Sequence, residues 1–384
     1  MSCVTRSIWT SQKIRHPFQC SFKEATVRSY FPLWCIAIAC LCTLHSAGAR
    51  AQSNVTLFGV VDAGLLYTSK TLDPKTGGNA GKQFALIDGQ SSFSQFGLSG
   101  TEDIGGGYKI KFRLLSGISI ANGGFNHCNG NLFGCEAWIA IEGDTGQLKA
   151  GLQYSPFFLA VYDTDPRSLS LFGSSGVLLV DNVLGTSVFN ANAISYTSPV
   201  VAGLQGSVMY AFGGIAGNFQ AGRQYAASLK YTIGKLTINA AFYDGNGGGN
   251  VPSPIPTTVA FVGRLLGVAY QAGSITVKAS VVNYKVAGSF NNYVYGGGLT
   301  WLVMPDVDVN GGVWVTSDRN QTSNHSVLAA LGTNYFLSKS TTLYAQVGLV
   351  DNHGAMNTGL SLSGALFGVK GTTVGATIGI RHSF

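Results

Sequence analysis

The sequence predicts an all-β fold, a 16-stranded antiparallel transmembrane β-barrel, and three observations carry that expectation. The chain is 46% hydrophobic but only 11% charged, against roughly 25% charged in ordinary soluble domains. Beyond the first fifty residues no apolar run reaches the ~18 residues that a spanning helix requires, so the hydrophobicity comes in alternation and not in blocks. The third observation is the final stretch. Val374, Ala376, Ile378, Ile380, His382 and Phe384 share one face of an extended strand, and Thr373, Gly375, Thr377, Gly379, Arg381 and Ser383 share the other. Such an apolar face is a liability in water and is at home in lipid. A strand of this kind, stopping on an aromatic, is expected to close the cylinder on the first strand.

The first element, residues 1–51, is expected to be a signal peptide, with 52–384 forming the barrel. Arg6, Lys13, Arg15, Lys23 and Arg28 precede an apolar stretch from Phe31 to Leu44, and Ala49-Arg50-Ala51 supplies an A-x-A cleavage site before Gln52. The basic region is long for a signal, which suggests a true start downstream of Met1. Residues 1–51 hold six of the 24 Lys and Arg and one of the 17 acidic residues, leaving the remainder at a formal +2. The basic balance therefore belongs to the precursor and makes no case for nucleic-acid binding.

The strands follow as runs of about ten residues, as barrel strands should. They are expected at 53–69, 91–101, 108–121, 132–143, 147–154, 193–198, 204–212 and 224–233. The rest fall at 235–244, 262–271, 274–286, 292–302, 307–317, 326–336, 341–351 and 372–384. Tight connections such as Asp144-Thr-Gly146, Ala272-Gly273 and Met304-Pro305 alternate with longer Gly- and Asn-rich loops. Short turns at one rim and long loops at the other are the outer-membrane arrangement. Alternation is clean late in the chain, where Val307, Val309, Val313 and Val315 oppose Asp308, Asn310, Trp314 and Thr316. A soluble β-sandwich shares the alternation, but not sixteen strands in one domain with so few charges. Tyr67, Tyr154, Tyr196, Tyr210, Tyr231, Tyr270, Tyr284, Trp301 and Tyr335 sit near strand ends, where aromatic girdles meet headgroups.

Five of seven cysteines lie in the signal, leaving Cys128 and Cys135 across a Gly/Asn-rich loop. In an oxidising exported compartment a disulfide is the leading reading. A metal site is the weaker alternative, because His127 is its nearest further ligand.

Several segments resemble the Gram-negative general porins of the β-proteobacterial type. These are Val55-Thr-Leu-Phe-Gly-Val-Val-Asp-Ala-Gly64, Phe96-Gly-Leu-Ser-Gly-Thr-Glu-Asp-Ile-Gly-Gly-Gly107, Leu132-Phe-Gly, Ala137-Trp138, Tyr196-Thr-Ser-Pro199, Tyr335-Phe-Leu-Ser-Lys339 and Gly379-Ile-Arg-His-Ser-Phe384. They run in order through residues 52–384. The resemblance implies a homotrimer in outer-membrane lipid, and a third long loop, roughly 155–192, folded inward to narrow the pore. It also implies that Phe384 is the signal read by the outer-membrane assembly machinery.

The departures concern the pore. Where similar sequences place basic residues, this chain has Gln95, Cys135, Leu152 and Phe189. Strict alternation puts Cys135 and Leu152 on the lipid face, so only Gln95 has period-two support as a lost pore cation. Lys109, Lys111 and Arg113 share a face, and Lys111 and Arg113 are expected in the lumen because a charge facing lipid costs about 2–4 kcal/mol near the midplane. Pairing through the Gly105-Gly106 turn would bring Arg113 near the height of Gln95. Two readings stay open: a basic wall moved one strand along, or merely solvated lumen residues. The third loop keeps Asp163, Asp165 and Asp181, with Arg167 as its cation.

The function expected is passive diffusion of ions and small hydrophilic solutes across the outer membrane, with less anion preference than similar channels if the three aspartates dominate. The runner-up is a substrate-specific channel for a small sugar or organic acid, suggested by Tyr154, Phe157, Phe158, Tyr162 and Phe172 in the third loop. Catalysis is not expected, since His127, His325, His353 and His382 have no recognisable nucleophile motif around them. No cofactor or metal is implied. The Gly-rich stretch at 244–249 lacks the lysine and helix of a phosphate cradle.

Overall fold

The computed structural model describes residues 54–125, 127–182, 187–247 and 257–384. The expected signal segment 1–51 lies outside the described residues. β1 (Asn54–Thr68) is followed by β2 (Gln83–Asp88), β3 (Gln95–Gly105), β4 (Tyr108–Gly117), β5 (Glu136–Gly143) and β6 (Gly146–Gln153). Two helices, α1 (Pro156–Thr164) and α2 (Ser175–Asn182), occupy the longest connection. The middle of the chain forms β7 (Asn190–Thr197), β8 (Leu204–Ala211), β9 (Gln224–Ile233), β10 (Leu236–Gly245), β11 (Phe261–Ala272) and β12 (Ile275–Val286). The remainder forms β13 (Asn291–Met304), β14 (Val307–Asp318), β15 (His325–Phe336), β16 (Thr341–His353), β17 (Thr358–Ser361), β18 (Ala365–Phe367) and β19 (Gly371–Ser383).

Every strand of the main sheet is antiparallel to its neighbours, and β19 pairs with both β16 and β1, which closes the cylinder. The seam runs from Val60 opposite Ser383 to Thr68 opposite Gly375, and the backbone of Gly59 exchanges hydrogen bonds with Phe384 at 2.9 and 3.0 Å. Closure matters because a membrane offers no water to satisfy an open edge. β2 and β3 pair with successive parts of β1, so they form one interrupted stave and the barrel has sixteen.

That interruption corrects the strand expected at 91–101. Asp62, buried on the inner face of β1, draws the chain inward between β2 and β3. Its carboxylate accepts from the amides of Ser91 (3.1 Å) and Ser92 (2.8 Å) and from the Tyr344 hydroxyl (2.6 Å). Ser94 Oγ accepts from the Asp62 amide at 2.9 Å. A short-range pattern cannot reveal a stave bent by a carboxylate thirty residues away.

Outward positions are apolar and exposed, as on Val55, Leu57 and Leu65 of β1 and on Val374, Ile378 and Ile380 of β19. Inward neighbours such as Asp62, Leu66, Thr373 and Thr377 are buried. Tyr196, Tyr231, Tyr270, Trp301 and Tyr335 are exposed outward at the ends of β7, β9, β11, β13 and β15, all at the short-turn rim, and form one girdle. Tyr154 and Tyr284 do not join it: Tyr154 faces a lumen cavity, and Tyr284 is buried against Phe157.

Candidate functional site

The third long loop is built from its own capping chemistry. Ser155 caps α1 by accepting from the Phe158 amide at 3.0 Å, and Pro156 stands at the first helical position, where a missing N–H costs nothing. Phe157, Ala160, Val161 and Thr164 recur at helical spacing and are buried against the inner wall of β9–β12. β11 makes room with glycine. A Cβ at Gly263 would come within 2.6 Å of the Phe157 ring, and one at Gly267 within 2.5 Å of Thr164 Cγ2.

Two charged residues hold the loop after α1. Asp165 is fully buried, and its carboxylate accepts from the amides of Arg167 (2.8 Å), Leu169 (3.0 Å) and Ser175 (2.8 Å). The Ser175 bond sets a negative charge at the start of α2, where the helix dipole favours it. Arg167 Nε donates to Asn310 Oδ1 (2.9 Å), Nη1 donates to the carbonyls of Phe172 and Gly173 (both 2.7 Å), and Nη2 donates to Gln346 Oε1. Burial pushes its pKa down to about 10, so it stays charged at neutral pH. Further ties reach around the wall: Lys230 pairs with Asp163 at 2.7 Å, and Lys278 Nζ donates to the Asp165 carbonyl at 3.0 Å. Thr300 Oγ1 donates to the Pro166 carbonyl at 2.6 Å, and Trp314 Nε1 to Ser175 Oγ at 2.8 Å.

The hairpin of β17 and β18 is a part that sequence reasoning missed. It lies in the last loop and meets the third one, with the Gly173 amide bonded to the Leu360 carbonyl and the Leu362 amide to the Leu171 carbonyl, both at 2.8 Å. Gln90, from the bend between β2 and β3, joins them. Its carbonyl accepts from the Phe172 amide, Ser170 Oγ and Gln346 Nε2, and its side-chain oxygen accepts from Ser361 Oγ. Three loops and β16 therefore meet at one buried residue.

Beside this assembly lies a cavity of about 1250 Å³ lined by loop residues and by the inner faces of the strands. Gln95, Arg113 and Arg167 line it. Arg113 is 34% exposed, stacked 4.3 Å from the Phe58 ring centre and ion-paired through Nε to Glu136 at 2.9 Å. Its height differs from the expectation, because the register pairs Arg113 with Ser99 and Gln95 with Gly117. Those positions are four residues apart, about 13 Å along the strand. Lys111 sits nearer the short turn in an ion pair with Glu142 at 2.6 Å.

The three aspartates also fall differently from the expectation that they dominate the pore. Asp163 is ion-paired, Asp165 is consumed by backbone amides, and half-buried Asp181 accepts from Thr358 Oγ1 at 3.3 Å. Leu152 pairs with Ala137 on the outward face, and Phe189 lines the cavity. Cys135 precedes β5, so alternation does not reach it. It is buried in a disulfide with Cys128, with Cα atoms 5.0 Å apart. The adjacent His127 pairs with Asp88 at the cavity wall. Arg381 of β19 also lines the cavity. It sits on the inward face that the alternation of the last strand predicts.

A family model described as Gram-negative porin matches residues 37–355. The chain is similar to an outer membrane porin protein of Bordetella pertussis, 25% identical, with 90% of this chain and 98% of that one covered. It is 27% identical to outer membrane porin protein 32 of Delftia acidovorans, over 91% of this chain and 99% of the relative. Among solved structures, the anion-selective porin from Comamonas acidovorans shares the fold with a TM-score of 0.76, at 24% identity, covering 87% of this chain and all of that one.

Proposed function

This chain belongs to the Gram-negative porin family, and from that premise we propose how its lumen sorts solutes. The protein is an outer-membrane, multi-pass β-barrel that lets ions and small hydrophilic solutes diffuse passively. The selectivity we propose is a preference for anions. One observation supports it: the accessible charge on the cavity is basic. Arg113 and Arg381 face it, whereas the acids in its lining are buried: Asp88 pairs with His127, and Asp308, only 9% exposed, accepts from Asn310 and Asn334. Of the two readings open at the level of sequence, this favours a basic wall moved to neighbouring strands over merely solvated lumen residues, and it runs against the expected dominance of Asp163, Asp165 and Asp181. Fixed cations in a narrow lumen raise local anion concentration, and the effect fades as salt screens them. The test is the reversal potential of reconstituted channels across a KCl gradient. An anion-selective sign that moves toward cations in Arg113→Gln/Arg381→Gln supports the reading, and a cation-selective sign in the unaltered channel refutes it.

We infer export by residues 1–51 with cleavage before Gln52, which the intact mass of outer-membrane material tests. We also infer a homotrimer and recognition of Phe384 by the assembly machinery. The unheated electrophoretic mobility tests the first, and loss of membrane insertion in Phe384→Ala the second. No catalytic role enters this reading.

A further inference from the structure

The helix that narrows the lumen is apolar on the wrong side. α1 buries Phe157, Ala160, Val161 and Thr164 against the wall, which is the stripe an amphipathic helix needs. Its opposite face, turned to a cavity that conducts hydrophilic solutes, should be polar. It instead carries Phe158, Leu159 and Tyr162, with Leu159 47% and Tyr162 48% exposed. Tyr154 and Phe189 extend this surface, the Tyr154 ring lying 5.1 Å from that of Phe158 and 6.0 Å from that of Phe189. Neither Leu159 nor Tyr162 belongs to the buried stripe.

The same cavity carries its cations elsewhere. Arg113 uses Nε for Glu136, and its terminal nitrogens make no hydrogen bond among the described residues. Arg381 has a buried Nε without a hydrogen-bond partner among the described residues. The cavity thus joins an aromatic surface to guanidinium groups. Guanidinium matches the planar geometry of a carboxylate, and the loop surface suits a flat apolar body.

Resting on the reading of the protein as a passive channel with an anion preference, we propose that the lumen favours amphipathic organic anions, specifically aromatic monocarboxylates, over equally charged hydroxylated ones. Such a solute slides with its ring along Phe158, Leu159 and Tyr162 while Arg113 or Arg381 takes its carboxylate. Contact over ~50 Å² of apolar surface corresponds to no more than about a tenfold enrichment, so the effect is a permeability bias and not tight binding.

Bi-ionic potentials across planar bilayers at pH 8, with potassium benzoate facing potassium shikimate, test this directly. The expected benzoate-to-shikimate permeability ratio exceeds their free-solution mobility ratio by about three- to tenfold. In Leu159→Ser/Tyr162→Ser it returns to the mobility ratio. A conducting channel whose unaltered ratio equals the mobility ratio overturns this inference and leaves the channel reading standing. A correctly folded protein that passes no current in KCl overturns the channel reading, and this inference with it.

Discussion

Removing the Arg167 side chain should release the third loop while leaving the barrel closed. Arg167→Ala deletes four donated bonds, to Asn310, to Gln346 and to the carbonyls of Phe172 and Gly173. Gln346 Oε1 keeps a second donor in Ser170 Oγ, and Asn310 lines the cavity, where water can replace the lost bond. The two carbonyls have no such option. Bonds to a charged donor are worth about 1.5–3 kcal/mol each, so the loss at the two carbonyls costs about 3–6 kcal/mol locally. That raises the opening constant of the 165–175 segment by roughly two to four decades. Hydrogen exchange read by mass spectrometry measures it at the amides of Gly173 and Ser175, which bond to the Leu360 carbonyl and to Asp165. Heat-resistant mobility of the barrel should persist, because none of the lost bonds belongs to the strand ladder. Arg167→Lys should recover only a small part, since the donors of one ammonium sit on a single atom and cannot span the acceptors that three guanidinium nitrogens reach. Unchanged exchange at these two amides in Arg167→Ala would refute the claim that this residue anchors the loop.

Three further outcomes follow from the same contacts. Gly267→Val should displace α1, since its Cβ would sit 2.5 Å from Thr164 Cγ2, costing about 1–3 kcal/mol in loop stability, read by thermal release of the segment. Tyr344→Phe removes a 2.6 Å bond to buried Asp62 and should lower barrel stability by about 1.5–3 kcal/mol in guanidinium titrations. Reducing the Cys128–Cys135 disulfide frees a short loop whose closure contributes roughly 2–3 kcal/mol, so chymotrypsin should then cut at exposed Phe125.

The barrel was legible because it repeats one instruction. Period-two alternation places β12 through β16 and β19 within two residues of where they form, and it puts Arg113 and Arg381 on the inward face. It falls silent wherever a side chain reaches across the lumen. Nothing local marks Asp62 as the residue that bends the stave at 89–94, or Asp165 as a cap for a helix ten residues on. The β17–β18 hairpin reads as a Ser- and Gly-rich loop, and what ties it down is the backbone of the third loop, through the Gly173–Leu360 and Leu362–Leu171 bonds. Roles for charges in the third loop could not be read from types alone. Three aspartates and one arginine look like a selectivity filter, and at least two of them, Asp165 and Arg167, are fasteners.

The meeting of three loops at Gln90 has a consequence for how the channel behaves in time. Residues 80, 256 and 271 positions away share bonds with that one buried side chain and its carbonyl, so none of the three loops can shift while the others hold. Their motions are joined in a single cooperative unit, and intermediate positions leave buried donors and acceptors unmatched. Current through one molecule should therefore jump between discrete levels instead of drifting across a continuum. A peptide inserted far away in sequence, at 362–364, should alter those jumps as strongly as one placed in the constriction itself.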